Sequence, residues 1–130
     1  MNKLAKCFLI INAVILLGYA IIFLIRPATL GRIVGFTQHS PNTFVEVMGF
    51  YGGFEFGLAS FFIWGAFHES RLKPALTAFI LIFLSAGAAR LAGIIQYGFN
   101  GPSQVIVSAI EISFSVFALW LRNKIIPSGK

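Results

Sequence analysis

Four ionisable side chains interrupt long apolar stretches of this sequence: Glu46 and Glu55, Arg90, and Glu111. An ionised group at the centre of a bilayer costs about 2.5–3.5 kcal/mol on insertion scales, so each asks for a reason. Counted inward at about 1.5 Å per residue from the outer ends of their runs, Arg90 lies about 10 Å deep and Glu111 about 12 Å. Glu55 lies about one turn further in, and Glu46 sits at the boundary. Arg90 is therefore expected to pair with Glu111, which leaves Glu55 as a second carboxylate facing one arginine. A protonated carboxyl or a cationic ligand would restore the balance. Tyr51 is four residues from Glu55 and so shares its helix face. Tyr19 falls at the level of Arg90. The expected constellation is a buried polar cluster of Tyr19, Tyr51, Glu55, Arg90 and Glu111, with Asn12 beneath it.

Such a cluster admits three chemistries. It can fix helix register as a buried ion pair, receive the polar end of a lipophilic molecule, or move protons with Glu55 or Glu111 as acid or base and Arg90 steadying negative charge. Other chemistries are set aside. The chain has four Glu and no Asp, so a Ser-His-Asp triad cannot form, and only a variant with Glu in the third place stays open. His39 and His68 fall on opposite sides of the second apolar run and cannot share a metal or haem. The single Cys7 excludes an intramolecular disulfide and a cysteine-ligated cluster. The glycines of the second run lie within a helix rather than after a strand, so they are no phosphate loop. Nothing in the sequence asks for a metal or a cofactor.

The elements that would position these groups follow from composition. Of 130 residues, 58% are apolar and 11% charged, and mean hydropathy is +0.87. A soluble domain carries about 25% charge; 14 charged side chains cannot coat one of this size. A bilayer core about 30 Å thick takes about 20 helical residues, and four runs meet that length. They cover about residues 7–25, 44–66, 75–97 and 105–121. The expected fold is all-α: an integral membrane four-helix bundle forming one transmembrane domain over residues 1–130. The first run is longer than the 7–15 apolar residues usual in a signal peptide. It continues through Ile21–Ile25, so it is read as an uncleaved span.

Charge fixes orientation. Lys3, Lys6, Arg71, Lys73, Arg122, Lys124 and Lys130 fall on one side of the spans, and only Arg26 and Arg32 on the other. The positive-inside rule then puts both termini in the cytoplasm. The net charge of +6 is accounted for by this flanking pattern and by anionic headgroups. No basic stripe with interleaved aromatics exists, so nucleic acid is excluded. The first loop is the long one. Its opening, Pro27–Phe36, sets Leu30, Ile33, Val34 and Phe36 against Thr29 and Arg32, a pattern for a short helix lying in the outer interface. Such a helix anchors at headgroups or lids a pocket. Gly49, Gly53 and Gly57 recur at intervals of four, and Gly93 shares a face with Ala86, Arg90 and Tyr97. These glycines are expected to give close helix packing within the bundle, with a homodimer seam as the alternative.

The run Gly49-Phe50-Tyr51-Gly52-Gly53-Phe54-Glu55-Phe56-Gly57 resembles the tyrosine–double-glycine segment of bacterial membrane proteins grouped as domain of unknown function DUF4345. Ala89-Arg90-Leu91-Ala92-Gly93, followed by Gly98, is similar to that family's arginine–glycine segment, and Arg26-Pro27 and Glu111 fit the same pattern. The resemblance implies a four-helix membrane protein and no established activity. It places Tyr51, Gly52, Gly53, Glu55, Arg90, Gly93 and Glu111 in the shared pattern. The leading expectation is a non-enzymatic inner-membrane protein, in contact with membrane lipids. It would bind a small lipophilic ligand or act as an accessory subunit of a homodimer or larger complex. The alternatives are a membrane-embedded isomerase or hydrolase working through Glu, and a small proton-coupled transporter.

Overall fold

The computed structural model describes residues 1–35, 40–98 and 102–125, and among them every regular element is a helix. We number five: α1 Asn2–Ile25, α2 Ala28–Val34, α3 Pro41–Ala66, α4 Glu69–Tyr97 and α5 Ser103–Lys124. α1, α3, α4 and α5 are long and apolar enough to cross a membrane. The expected Phe36, His39, the turn residues Phe99 to Gly101, and Lys130 lie outside the described residues.

Each long helix overruns the apolar stretch that announces it. α3 begins at Pro41 rather than Phe44 because Ser40 caps it: its Oγ accepts from the Thr43 N–H at 3.2 Å, and its own N–H donates to Thr43 Oγ1 at 3.3 Å. Pro41, at the first helical position, loses no bond that the helix would have made. α4 begins at Glu69, six residues before the expected start, and carries Pro74 inside it. The charged stretch Glu69–Lys73 reads as a linker, yet it buries Leu72 fully, and that contact draws the polar turn into the helix.

The chain divides into two compact units, Cys7–Phe67 and Met1–Lys6 with His68–Lys130. In the first, a buried cluster of Phe23, Leu30 and Val47 ties α1, α2 and α3 together. α2 leaves α1 through a tight elbow in which the Thr29 N–H donates to Arg26 O at 3.0 Å and the Leu30 N–H to Pro27 O at 3.2 Å. It ends at Gly35, whose φ of 89° suits glycine and whose N–H closes on Gly31 O at 2.8 Å. α3 is π-helical over Val47–Phe54, a stretch with three glycines. Each weakens the α-helical alternative by about 1 kcal/mol relative to Ala.

In the second unit α4 and α5 pack as an antiparallel hairpin. Gly98, at φ 74°, ends α4 with its N–H on Ile94 O at 2.9 Å. The hairpin is bonded near both ends and at its middle. Arg122 Nε donates to Thr77 Oγ1 at 2.7 Å, and the Ser108 hydroxyl donates to Gly87 O at 2.9 Å. Thr77 passes its own hydroxyl proton to Lys73 O at 2.8 Å. Phe79 stacks on Phe83 at 4.3 Å. Lys6 Nζ approaches Glu69 Oε1 to 3.8 Å on the exposed surface, a pair of little energetic weight.

Candidate functional site

The face α5 turns to α4 is written in heptad spacing: Gln104, Ser108, Glu111, Ser115, Ala118 and Arg122 follow at alternating intervals of four and three. Small residues on this seam let the backbones close. An added Cβ at Gly87 would stand 2.9 Å from Ile112 Cγ1, 3.2 Å from Glu111 Cβ and 3.3 Å from Ser108 O. Arg90, three residues further along α4, then lies over Glu111. Its Nε donates to Glu111 Oε2 at 3.2 Å and its Nη2 to Glu111 Oε1 at 3.1 Å, a two-point fork. Its Nη1 donates to Gln104 Oε1 at 2.9 Å. Gln104 and Glu111 are two turns apart on one face, so a single guanidinium spans both. Ser115 Oγ donates to the backbone carbonyl of Glu111 at 2.8 Å, a bond within α5. The pair is screened on the carboxylate side, where the Glu111 side chain is 13% exposed against 33% for Arg90.

The other expected site residues belong to the Cys7–Phe67 unit and meet through aromatic rings. Tyr19 stacks on Phe23 at 6.0 Å, and Phe23 meets Tyr51 edge to face at 5.9 Å. Phe50 contacts Tyr51 at 5.5 Å and Phe54 at 5.2 Å. Glu55 follows this aromatic run at the end of the π-helical stretch. It is half-buried, and its Oε2 is closed off without a hydrogen-bond partner among the described residues. Neither tyrosine hydroxyl is bonded to it. Asn12 Nδ2 donates to Phe8 O at 2.8 Å, within its own helix. Of the residues expected in the cluster, Arg90 and Glu111 belong to the His68–Lys130 part of one unit, and Tyr19, Tyr51 and Glu55 belong to the other unit.

The glycine expectation needs correction. The close approach to α1 is made by Gly52, where an added Cβ would stand 2.7 Å from Leu24 Cγ and Cδ2 and 3.5 Å from the Leu24 nitrogen. At Gly49, Gly57 and Gly93 it would meet nothing within 4 Å, and at Gly53 only Met48 O of its own helix at 3.7 Å. The ridge of Gly49, Gly53 and Gly57 is one residue out of phase. Gly52 points away from that ridge, so the face that meets α1 belongs to it.

Sequence reasoning missed Gln104, Ser108 and Gly87. The heptad spacing of α5 carried the signal for the first two, and the small run Ser85–Ala89 carried it for Gly87.

Taken together these features define a protein whose described residues are all-helical in their regular structure, with four helices of membrane-crossing length among them and an ion-paired hairpin of the last two. The chain belongs to the DUF4345 family, a domain of unknown function, which matches residues 4–122 and so nearly its whole length. No curated protein and no solved structure matches it.

Proposed function

We propose that this is a multi-pass protein of a bacterial inner membrane, with both termini in the cytoplasm. It holds a small lipophilic molecule whose hydrogen-bond-donating or cationic end is received by Glu55. The observation that carries the reading is the Glu55 Oε2 atom, buried and unpartnered within a helix of membrane-crossing length. A buried acceptor left unmade costs about 1–3 kcal/mol, more when charged, and a donor from a ligand removes that cost. Two further features support it. The π-helical stretch ends at Glu55, and π turns inside α-helices recur at functional sites. Tyr51, Phe50 and Phe54 give the same segment an aromatic wall. Membrane residence is supported by the large apolar side chains exposed along all four long helices, Ile11, Phe50, Leu81 and Val116 among them. Arg90 has no part in this binding. Its charge is met by Glu111, and the pair serves as the pin of the hairpin.

Native mass spectrometry of gently solubilised protein, with identification of what is released, tests the reading. The expected result is one bound lipophile that carries a donor or amine group. Glu55→Gln loses it while helicity by circular dichroism is unchanged. A wild-type chain that releases only bulk phospholipid, or a Glu55→Gln variant that keeps its ligand, overturns the proposal.

A further inference from the structure

A groove of about 470 Å³ lies where α1 hands over to α2, lined by Ile21, Ile22, Ile25, Arg26, Thr29 and Arg32. It falls wholly within the Cys7–Phe67 unit. Its walls are of two kinds. Three isoleucines from the last turns of α1 form an exposed apolar side. Two arginines and a threonine form the other. Arg26 and Arg32 make no ion pair among the described residues, so two positive charges border one apolar surface with no carboxylate among those residues to meet them. Arg32 Nη2 donates to Thr29 Oγ1 at 3.2 Å. That bond uses the hydroxyl as an acceptor and leaves its proton to donate. The elbow at Pro27 and the burial of Leu30 against Phe23 and Val47 hold α2 to α1, so the spacing of the two arginines is set by the fold.

The position of these charges is what makes them informative. They are the basic residues on the side of the spans where the positive-inside rule expects few, and both line the same groove. Arginine presents a planar fork of donors suited to phosphate, and three isoleucines suit an acyl chain. We propose that this groove binds one anionic phospholipid of the outer leaflet. Its phosphate is held by Arg26, Arg32 and the Thr29 hydroxyl, and one acyl chain lies along Ile21, Ile22 and Ile25. A headgroup bearing an ammonium would bring a third positive charge to two guanidiniums, so the site discriminates phosphatidylglycerol from phosphatidylethanolamine. The inference rests on the membrane residence proposed above, though not on the ligand at Glu55.

The test is native mass spectrometry of the full chain in detergent. It is titrated with phosphatidylglycerol, with phosphatidylethanolamine of the same acyl chains, and with inorganic phosphate. One phosphatidylglycerol adduct is expected, in preference to phosphatidylethanolamine. At about 1 kcal/mol per arginine, Arg26→Gln and Arg32→Gln each weaken it roughly fivefold, and together roughly thirtyfold. Lys3→Gln, a charge change outside the groove, leaves it unaltered. Arg26→Lys with Arg32→Lys keeps the charge, guards against a folding artefact, and falls between wild type and the double glutamine variant. Equal binding of the two lipids, or a double glutamine variant that binds like wild type, overturns the proposal. Displacement of the adduct by inorganic phosphate overturns it too, in favour of a free-phosphate site. Flotation with phosphatidylglycerol vesicles separates the two levels of failure. A chain that does not float defeats membrane residence; one that floats but shows no selective adduct defeats the groove alone.

Discussion

At the scale of single residues, the strongest constraint is the guanidinium of Arg90, which satisfies two acceptors seven positions apart on α5. Glu111→Ala leaves it with Gln104 alone and is expected to cost about 2–3 kcal/mol, the range for bonds to charged groups. Gln104→Ala removes one neutral acceptor and costs about 1 kcal/mol. The two serines of the seam separate in the same experiment. Ser108 bonds across to Gly87 O, so Ser108→Ala costs about 0.6 kcal/mol, as interhelical bonds in membranes do. Ser115 bonds within its own helix, so Ser115→Ala is close to neutral. Denaturant unfolding in detergent followed by circular dichroism gives this order; a Ser115 effect equal to that of Ser108 would contradict it. Arg90 and Glu111 were legible as partners because each is isolated in an apolar run at matching depth. Gln104 was not. An uncharged polar residue just outside an apolar run reads as loop, and only the heptad phase of α5 ties it to the seam.

Helices were legible as units wherever an apolar run came close to the length of a bilayer span, and their ends were not, for reasons that differ from helix to helix. The start of α3 depends on the Ser40–Thr43 capping pair, which lies outside the apolar window. That of α4 depends on Leu72, a single apolar residue among charges. The glycine pattern in α3 misled because it records spacing without phase: three glycines at intervals of four align, while the residue that faces Leu24 is the unaligned Gly52. Substitution by alanine tests the corrected assignment. Gly87→Ala forces a Cβ against Ile112 and the Ser108 carbonyl and is expected to cost about 1–3 kcal/mol. Gly57→Ala and Gly93→Ala meet open space and gain helix propensity of up to about 1 kcal/mol. Melting temperatures that fall for Gly57→Ala and Gly93→Ala but not for Gly87→Ala would restore the ridge as the packing face.

For the molecule as a whole, the proposed orientation makes a prediction independent of any ligand. In a background where Cys7 is replaced by Ser, the exposed positions Asn42 and Ser70 flank the apolar length of α3. With both termini in the cytoplasm, Asn42→Cys, in the first turn of α3, is labelled by an impermeant maleimide on intact cells, and Ser70→Cys, in the first turn of α4, only after the membrane is permeabilised. The reverse pattern would put Arg26 and Arg32 in the cytoplasm, where basic residues are ordinary. The helices of membrane-crossing length were legible from composition because 14 charged side chains leave a chain of 130 residues no polar coat. The division into two units was not, since a run of apolar residues does not say which other run it meets.

The π-helical stretch of α3 has a consequence for chain length. A ring closed between residues five apart encloses one residue more than the α-helical ring, so Val47–Phe54 carries a residue that an α-helix would not need. Removing one there, at the exposed and uncrowded Gly49, lets the stretch relax to α-helix while the flanking turns keep their facing. The same deletion in α4, at Gly87, would turn everything beyond it by about 100° and pull Arg90 away from Glu111. A deletion scan read by folded yield therefore finds α3 forgiving over these eight residues and α4 intolerant throughout the hairpin seam.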